Sequence, residues 1–189
     1  MSGFTLHLLR HGALEQPGLM MGRTDGAPTA AGIAACVAQT ANLVIEQLIA
    51  SDLQRASKAG AAIGHALDLP LTIDPGWREL DFGGWDGRAS SAVDQDALLA
   101  FWKDPDANPP PDGERWSSLV ARVSVALAGL APRTTLLVTH GGAMRAALHL
   151  LCGFDQRQLW AFDLPYAARL SLQIWPGEQP SAQITGLTR

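Results

Sequence analysis

The stretches Phe4-Thr5-Leu6-His7-Leu8-Leu9-Arg10-His11-Gly12 and Thr135-Leu136-Leu137-Val138-Thr139-His140-Gly141-Gly142 decide the fold. Each is a short apolar run that breaks on a histidine followed at once by glycine. Such runs read as buried strands, here Phe4 to Leu9 and Thr135 to Thr139. Each delivers a histidine at its carboxyl end, and ligands of open α/β sheets bind in the crevice beyond those ends. Two imidazoles presented there, one beside Arg10, suit an anion and the transfer of a proton or phosphoryl group.

Working outward, Thr29 reads as the N-cap of an Ala-rich helix running to about Ala41. Gln47 to Ala50 reads as a second strand. Asp52 is expected to cap the next helix, which carries Leu53, Ala56, Ala59 and Ile63 on one face and ends near Leu67. Leu71 to Ile73 is a third strand. From about residue 75 to 112 the chain becomes loop-rich, with one helix around Asp96 to Lys103. The run Asp104-Pro105-Asp106-Ala107-Asn108-Pro109-Pro110-Pro111 cannot be helix or central strand. This excursion is expected over the sheet's carboxyl edge, where loops carry function. Helical spacing returns over Glu114 to Leu130 and Gly142 to Leu151, and strands are expected at Arg169 to Trp175 and Ala182 to Leu187. Alternating strands and helices predict an α/β fold, a mostly parallel sheet covered on both faces with an antiparallel edge.

The chain has 189 residues, 47% hydrophobic and 17% charged, which fits one domain over residues 1–189. Its net charge of −4 argues against nucleic-acid or membrane partners, so positive potential for an anion must be local. No apolar stretch approaches the ~18 residues of a membrane span. The start, Met1-Ser2-Gly3-Phe4, lacks the basic region of a signal peptide, and a cytoplasmic location is expected. Cys36 and Cys152 lack metal-ligand spacing and read as buried free thiols ahead of a disulfide. No metal site and no cofactor are expected.

Phosphoryl transfer needs cationic donors for the equatorial oxygens, an in-line nucleophile and an acid for the leaving oxygen. Arginine binds phosphate oxygens in bidentate fashion. A neutral imidazole can be the nucleophile, and a carboxylic acid can protonate the leaving group and then activate water. The sequence supplies Arg10 and His11 after the first strand, Arg55 in the first turn after the second, Glu79 in the excursion, and His140 after the late strand. The backbone N–H groups near Gly141 and Gly142 begin a helix, a favourable place for an anion.

These residues lie in an ordered set of motifs. They are Leu8-Leu9-Arg10-His11-Gly12, Gly22-Arg23-Thr24-Asp25, Ser51-Asp52-Leu53-Gln54-Arg55-Ala56, Arg78-Glu79-Leu80-Asp81-Phe82-Gly83-Gly84-Trp85-Asp86-Gly87, Pro111-Asp112-Gly113-Glu114 and Thr139-His140-Gly141-Gly142. In this order they resemble the histidine phosphatase superfamily, the group that includes cofactor-dependent phosphoglycerate mutases. The resemblance implies a phosphoglycerate mutase-like three-layer α/β/α sandwich and a metal-independent phosphatase acting through a phosphohistidine. It makes His11 the nucleophile and Glu79 the proton donor and acceptor. Arg10, Arg55 and His140 would bind the phosphoryl oxygens, and Gly22, Gly141 and Gly142 would meet substrate through backbone, with Arg23 a further candidate. The expected partner is a small phosphorylated substrate, and a homodimer is left open. The Phe101-Trp102-Lys103-Asp104-Pro105 stretch and Pro110-Pro111-Asp112-Gly113-Glu114 look like α-ribazole phosphatases of cobalamin nucleotide-loop assembly. The chain departs from the family over Ala13-Leu14-Glu15-Gln16-Pro17, where Pro17 replaces an Asn that touches phosphate, so that hydrogen bond is either lost or supplied by Gln16.

Several residues read as structural. His7 lies inside a strand, and His65 and His149 sit in helices without partner motifs. Arg145 and Lys58 read as surface charge. The tryptophans read mainly as packing, with Trp85, Trp102 and Trp116 as candidates for the mouth of the site. Asp81 is a rival acid to Glu79. A phosphoglycerate mutase and a silent phosphometabolite-binding protein are the alternative functions; the first must exclude water, and the second has no use for a proton donor.

Overall fold

The computed structural model describes residues 3–177 and 180–189, so Met1 and Ser2 of the N-terminal reading lie outside them. Among the described residues the strands and α-helices follow in the order β1 (Phe4–Arg10), α1 (Ala30–Ala38), β2 (Gln47–Ala50), α2 (Gln54–Leu67), β3 (Leu71–Ile73), α3 (Gln95–Lys103), α4 (Trp116–Ala128), β4 (Thr135–Thr139), α5 (Gly141–Cys152), α6 (Gln156–Leu159), β5 (Arg169–Trp175) and β6 (Ser181–Thr188). The six strands form one mixed sheet in the order β3-β2-β4-β1-β5-β6. Strands β3, β2, β4 and β1 are parallel, and β5 and β6 complete an antiparallel edge.

Strand alternation builds two cores. Leu6, Leu8 and Leu137 join one face with Leu119, Val123, Met144 and Leu148 of α4 and α5. Leu9, Leu136 and Val138 join the other with Cys36 of α1 and Ala56, Ala59 and Ile63 of α2. Helices thus cover the sheet on both sides, the three-layer α/β/α arrangement of phosphoglycerate mutase-like folds. Cys36 and Cys152 are free thiols. Among the described residues no helix is long and apolar enough to cross a membrane.

Register positions the carboxyl ends. Arg10 lies opposite Thr139 in the β1–β4 pair, and Ala50 lies opposite Val138 in the β2–β4 pair. Residues His11, His140 and Ser51 therefore emerge side by side. The turn after β1 packs directly on the start of α1. A Cβ on Gly12 would stand 2.0 Å from the Gly32 carbonyl oxygen, so only glycine fits.

Thr29 caps α1 through its hydroxyl, which accepts from the Gly32 N–H at 2.9 Å. The helix stops at Ala38 rather than about Ala41, where the Thr40 hydroxyl bonds the Val37 carbonyl at 2.7 Å. Asp52 does not cap α2. Its carboxylate pairs with the Arg78 guanidinium, and the Gln54 N–H is capped instead by Asp25 of the loop after β1, at 2.7 Å. A charged fork outcompetes a local cap for Asp52. Helix α4 starts at Trp116, two residues later than the spacing predicts, because the Glu114 side chain turns to Arg122.

Three histidines, His7, His11 and His140, are buried in or beside the central strands. Burial pushes His7 down from 6.5 to about 4, helped by Arg169, and His11 down to about 3; His140 also lies well below 6.5. The unfolded chain takes up these protons near pH 6.5 and the native state refuses them until far lower, so stability falls with pH across that window. Each group contributes up to about 1.4 kcal/mol per pH unit. Urea midpoints measured from pH 7.5 to pH 5 are expected to fall steadily below pH 6.5. A midpoint that stays constant over that range would contradict the burial of neutral imidazoles.

Candidate active site

His11 leaves β1 still tied to β4, its N–H donating to the Thr139 carbonyl at 2.9 Å. Its buried ring places Nδ1 2.9 Å from the Gly12 carbonyl oxygen. A carbonyl only accepts, so Nδ1 carries the proton and Nε2 keeps its lone pair. Burial and the nearby positive charge of Arg55 and Arg10 keep the ring neutral at working pH. That is the form a nucleophilic imidazole requires.

Arg10 ends β1 with its guanidinium folded over the Tyr166 ring, 4.6 Å from the centroid. Nη1 donates to the Leu164 carbonyl at 2.6 Å, while the buried Nε has no partner among the described residues. The Tyr166 ring also stands 5.4 Å from that of His11, walling that imidazole.

Arg55 and His140 lie behind His11, and both are 0% exposed. Arg55 donates from Nη2 to the Met21 and Gly22 carbonyls, each at 2.7 Å, and from Nη1 to Thr24 at 2.8 Å. Its Nε donates to His140 Nδ1 at 3.2 Å. Nδ1 being the acceptor, His140 carries its proton on Nε2, 2.9 Å from the Ser51 hydroxyl. The two histidine rings are 5.2 Å apart. Arg55 therefore fastens the loop at residues 21–24 to the histidine pair and sets the tautomer of His140.

Glu79 reaches the start of α5. Its two carboxylate oxygens accept from the Gly142 N–H at 2.9 and 3.1 Å, and Oε1 also accepts from Leu80 N–H at 2.9 Å. A Cβ on Gly142 would stand 2.1 Å from Oε1, so glycine there admits the carboxylate. The helix N-terminus expected to meet substrate through Gly142 thus holds the Glu79 carboxyl group, whose oxygens accept from the Gly142 N–H. Arg122 of α4 fixes the backbone behind it, donating to the carbonyls of Gly76, Arg78 and Glu79 at 2.8 to 2.9 Å while paired with Glu114.

A cavity of about 230 Å³ opens beside these groups, with Arg10, His11, Glu79, Gly141 and Gly142 on its wall. The excursion contributes Phe82, Phe101, Trp102 and Pro105, so it does lie over the carboxyl edge. Trp116 also lines the cavity, whereas Trp85 is buried in the core against Phe101. Among the described residues no carboxylate lies within ion-pair distance of Arg10 or Arg145, the two arginines on the cavity wall. Uncompensated cations next to a cavity call for an anionic occupant. No group of His, Cys, Asp and Glu among those residues is arranged to hold a metal ion.

Some expected residues stand elsewhere. Arg55 and His140, expected to bind phosphoryl oxygens, are fully buried and off the cavity wall. Their nitrogens are engaged by backbone carbonyls, Ser51 and each other. Gly22 is also off the wall, and its carbonyl serves Arg55. Arg23 is also off the wall, with Nε 3.4 Å from the Asp81 carboxylate. Gln16 and Pro17 are exposed and outside the cavity. His7 bonds Ser171, His149 bonds the Phe154 carbonyl, and His65 and Lys58 are exposed. Arg145, read as surface charge, is instead half-buried on the cavity wall. Its position four residues after Gly141 on one helix was the available signal, since i and i+4 share a face. Ser51, Tyr166 and Arg122 carried no comparable local signal.

Comparison with known proteins agrees with this geometry. The histidine phosphatase superfamily (branch 1) matches residues 6–184. A glucosyl-3-phosphoglycerate phosphatase of Mycolicibacterium vanbaalenii is 32% identical over 78% of this chain and 74% of its own. The solved native structure of a mycobacterial glucosyl-3-phosphoglycerate phosphatase superposes with a TM-score of 0.85 at 25% identity, covering 97% of each chain. A candidate alpha-ribazole-5'-P phosphatase from Escherichia coli K-12 shares the fold with a TM-score of 0.83 at 23% identity, covering 100% of this chain and 97% of its own. With the motif residues gathered at one sheet edge, the chain belongs to the histidine phosphatase superfamily.

Proposed function

We propose that this chain is a cytoplasmic, metal-independent phosphomonoesterase that cleaves a small phosphorylated metabolite through a phosphohistidine on His11. The candidate substrate is α-ribazole 5′-phosphate. The observation that carries the reading is the neutral His11, its Nε2 lone pair free, next to an Arg10 Nε without a partner. The α-ribazole assignment draws support from the sequence stretch at residues 101–105, whose Phe101, Trp102 and Pro105 line the cavity.

In this reading Arg10 takes the phosphoryl oxygens of the dianion, and the buried Arg55 charge behind His11 adds to the local positive potential. His11 Nε2 attacks phosphorus in line, forming the N–P bond as the ester P–O bond breaks. The Glu79 carboxyl gives its proton to the departing oxygen, and the alcohol leaves. Glu79, now a carboxylate, takes a proton from water, which attacks the phosphohistidine. The N–P bond breaks, inorganic phosphate departs, and His11 returns to its neutral form. The arginines provide the charge stabilisation that a divalent ion provides elsewhere.

Purified protein assayed on a panel of phosphate esters including α-ribazole 5′-phosphate is expected to release inorganic phosphate. His11→Ala is expected to lose roughly 10³-fold or more in kcat while remaining folded. A near-normal kcat in that variant would remove His11 from the chemistry. A mutase would show little net phosphate release, and a silent binder none.

Activity is expected to survive exhaustive EDTA treatment. Strict dependence on added Mg²⁺ or Zn²⁺ would exclude the metal-independent step.

Glu79→Gln is expected to cost roughly 10²–10⁴-fold on an alkyl phosphate, whose alkoxide needs a proton. In single-turnover measurements with p-nitrophenyl phosphate, phosphorylation of His11 should slow far less. Equal small effects on both esters would transfer the acid role to another group, with Asp81 the rival.

A further inference from the structure

The cavity that Arg10 and His11 line is also walled by residues of a different kind. Phe82, Phe101, Trp102, Trp116 and Trp160 contribute flat apolar surface to its wall. Trp102 of α3 and Trp160, just after α6, meet edge to face with centroids 5.0 Å apart. Trp160 also covers the guanidinium of Arg145, whose central carbon is 4.6 Å from the ring centroid. Among the described residues Arg145 is held only by the Gly141 and Phe162 carbonyls, each at a long 3.2 Å, and its Nε is buried without a partner there. On the same wall the Gln156 amide nitrogen is likewise buried and unpartnered. Buried donors left unmatched carry a free-energy cost that an acceptor in the cavity removes.

We propose that Arg145, with Gln156, and the aromatic wall form a leaving-group subsite selecting phosphate esters of flat aromatic alcohols that carry a hydrogen-bond acceptor distant from the ester oxygen. The inference rests on the phosphomonoesterase reading above and specifies its substrate class. The phosphoryl group occupies the His11 and Arg10 end, and the ring of the alcohol lies among the indoles. The acceptor then meets Arg145, which the Trp160 face holds in place through a cation–π contact. A polyol or a small amino-acid ester would leave the aromatic wall wet and contribute little there.

The test compares glycerol 3-phosphate, benzyl phosphate and 3-carboxybenzyl phosphate, primary alkyl esters that all need a proton on the leaving oxygen. Wild-type kcat/KM is expected to rise about 10- to 100-fold from glycerol 3-phosphate to benzyl phosphate, the value of burying a ring. A further rise of about 10-fold or more is expected for 3-carboxybenzyl phosphate, from the charged acceptor. Arg145→Gln is expected to reduce kcat/KM for 3-carboxybenzyl phosphate at least 10-fold more than for benzyl phosphate, and Arg145→Lys should restore part of that difference. Circular dichroism of each variant confirms the fold, and Gln156→Ala, which leaves the arginine in place, gives a second reading of the same ratio. Equal losses on both benzyl esters in Arg145→Gln would place Arg145 on the phosphoryl group and overturn the proposal. Preference for glycerol 3-phosphate over benzyl phosphate would overturn it while leaving the phosphomonoesterase intact. No phosphate release from any ester would instead remove the reading beneath it.

Discussion

The register of three neighbouring parallel strands is the constraint on which the site depends. β1, β4 and β2 end together, so His11, His140 and Ser51 leave the sheet as adjacent residues. A slip of one residue in β4 would turn Leu136, Leu137 and Val138 to the wrong faces and break both cores. Hydrophobic burial therefore enforces the spacing of the imidazoles to within one residue. Chemistry inherits its precision from the core, at no cost in loop ordering.

Behind that edge, charge is managed by backbone rather than by carboxylates. Arg55 meets three carbonyls and a histidine nitrogen, an arrangement that satisfies its donors while leaving its positive charge intact. A buried ion pair would neutralise the field that the phosphoryl dianion requires. The same choice recurs at Arg10 and Arg145, whose protein acceptors are carbonyls. Glu79 stands apart from these cations in its own cradle at the start of α5. The acid is thereby kept near the arginines without being locked into a bridge with any of them.

Much of this was legible in the sequence because it is local. Apolar runs ending on Arg10-His11-Gly12 and His140-Gly141-Gly142 specify strands, their ends and the helix that follows. Asp52 misled because its partner, Arg78, is 26 residues away and local capping rules do not see it. Gly142 was legible as a helix start, but its engagement with Glu79 depends on the excursion's path across the sheet. Arg122 holds that path from the middle of α4, where sequence alone shows only a charge on a helix. Residues 16 and 17 illustrate the reverse case, a position implied by family pattern that this chain's exposed loop does not bring to the cavity.

The two halves of the cavity arise from different parts of the chain. His11, Arg10 and the groups behind them come from strand ends whose geometry the core dictates. The chamber beyond comes from the excursion, α6 and the face of α5 that carries Arg145. Trp102 packs on Phe101 and Trp160, while Phe82, Phe101 and Trp116 also join the core that holds Leu6, Leu8 and Leu137. Substitutions at the exposed Trp102 and Trp160 can reshape the chamber without disturbing strand register. On the proposed reading, a fold divided in this way keeps one phosphoryl chemistry while its leaving-group preference follows from a few loop residues, so that the chamber rather than the histidines would set what is cleaved.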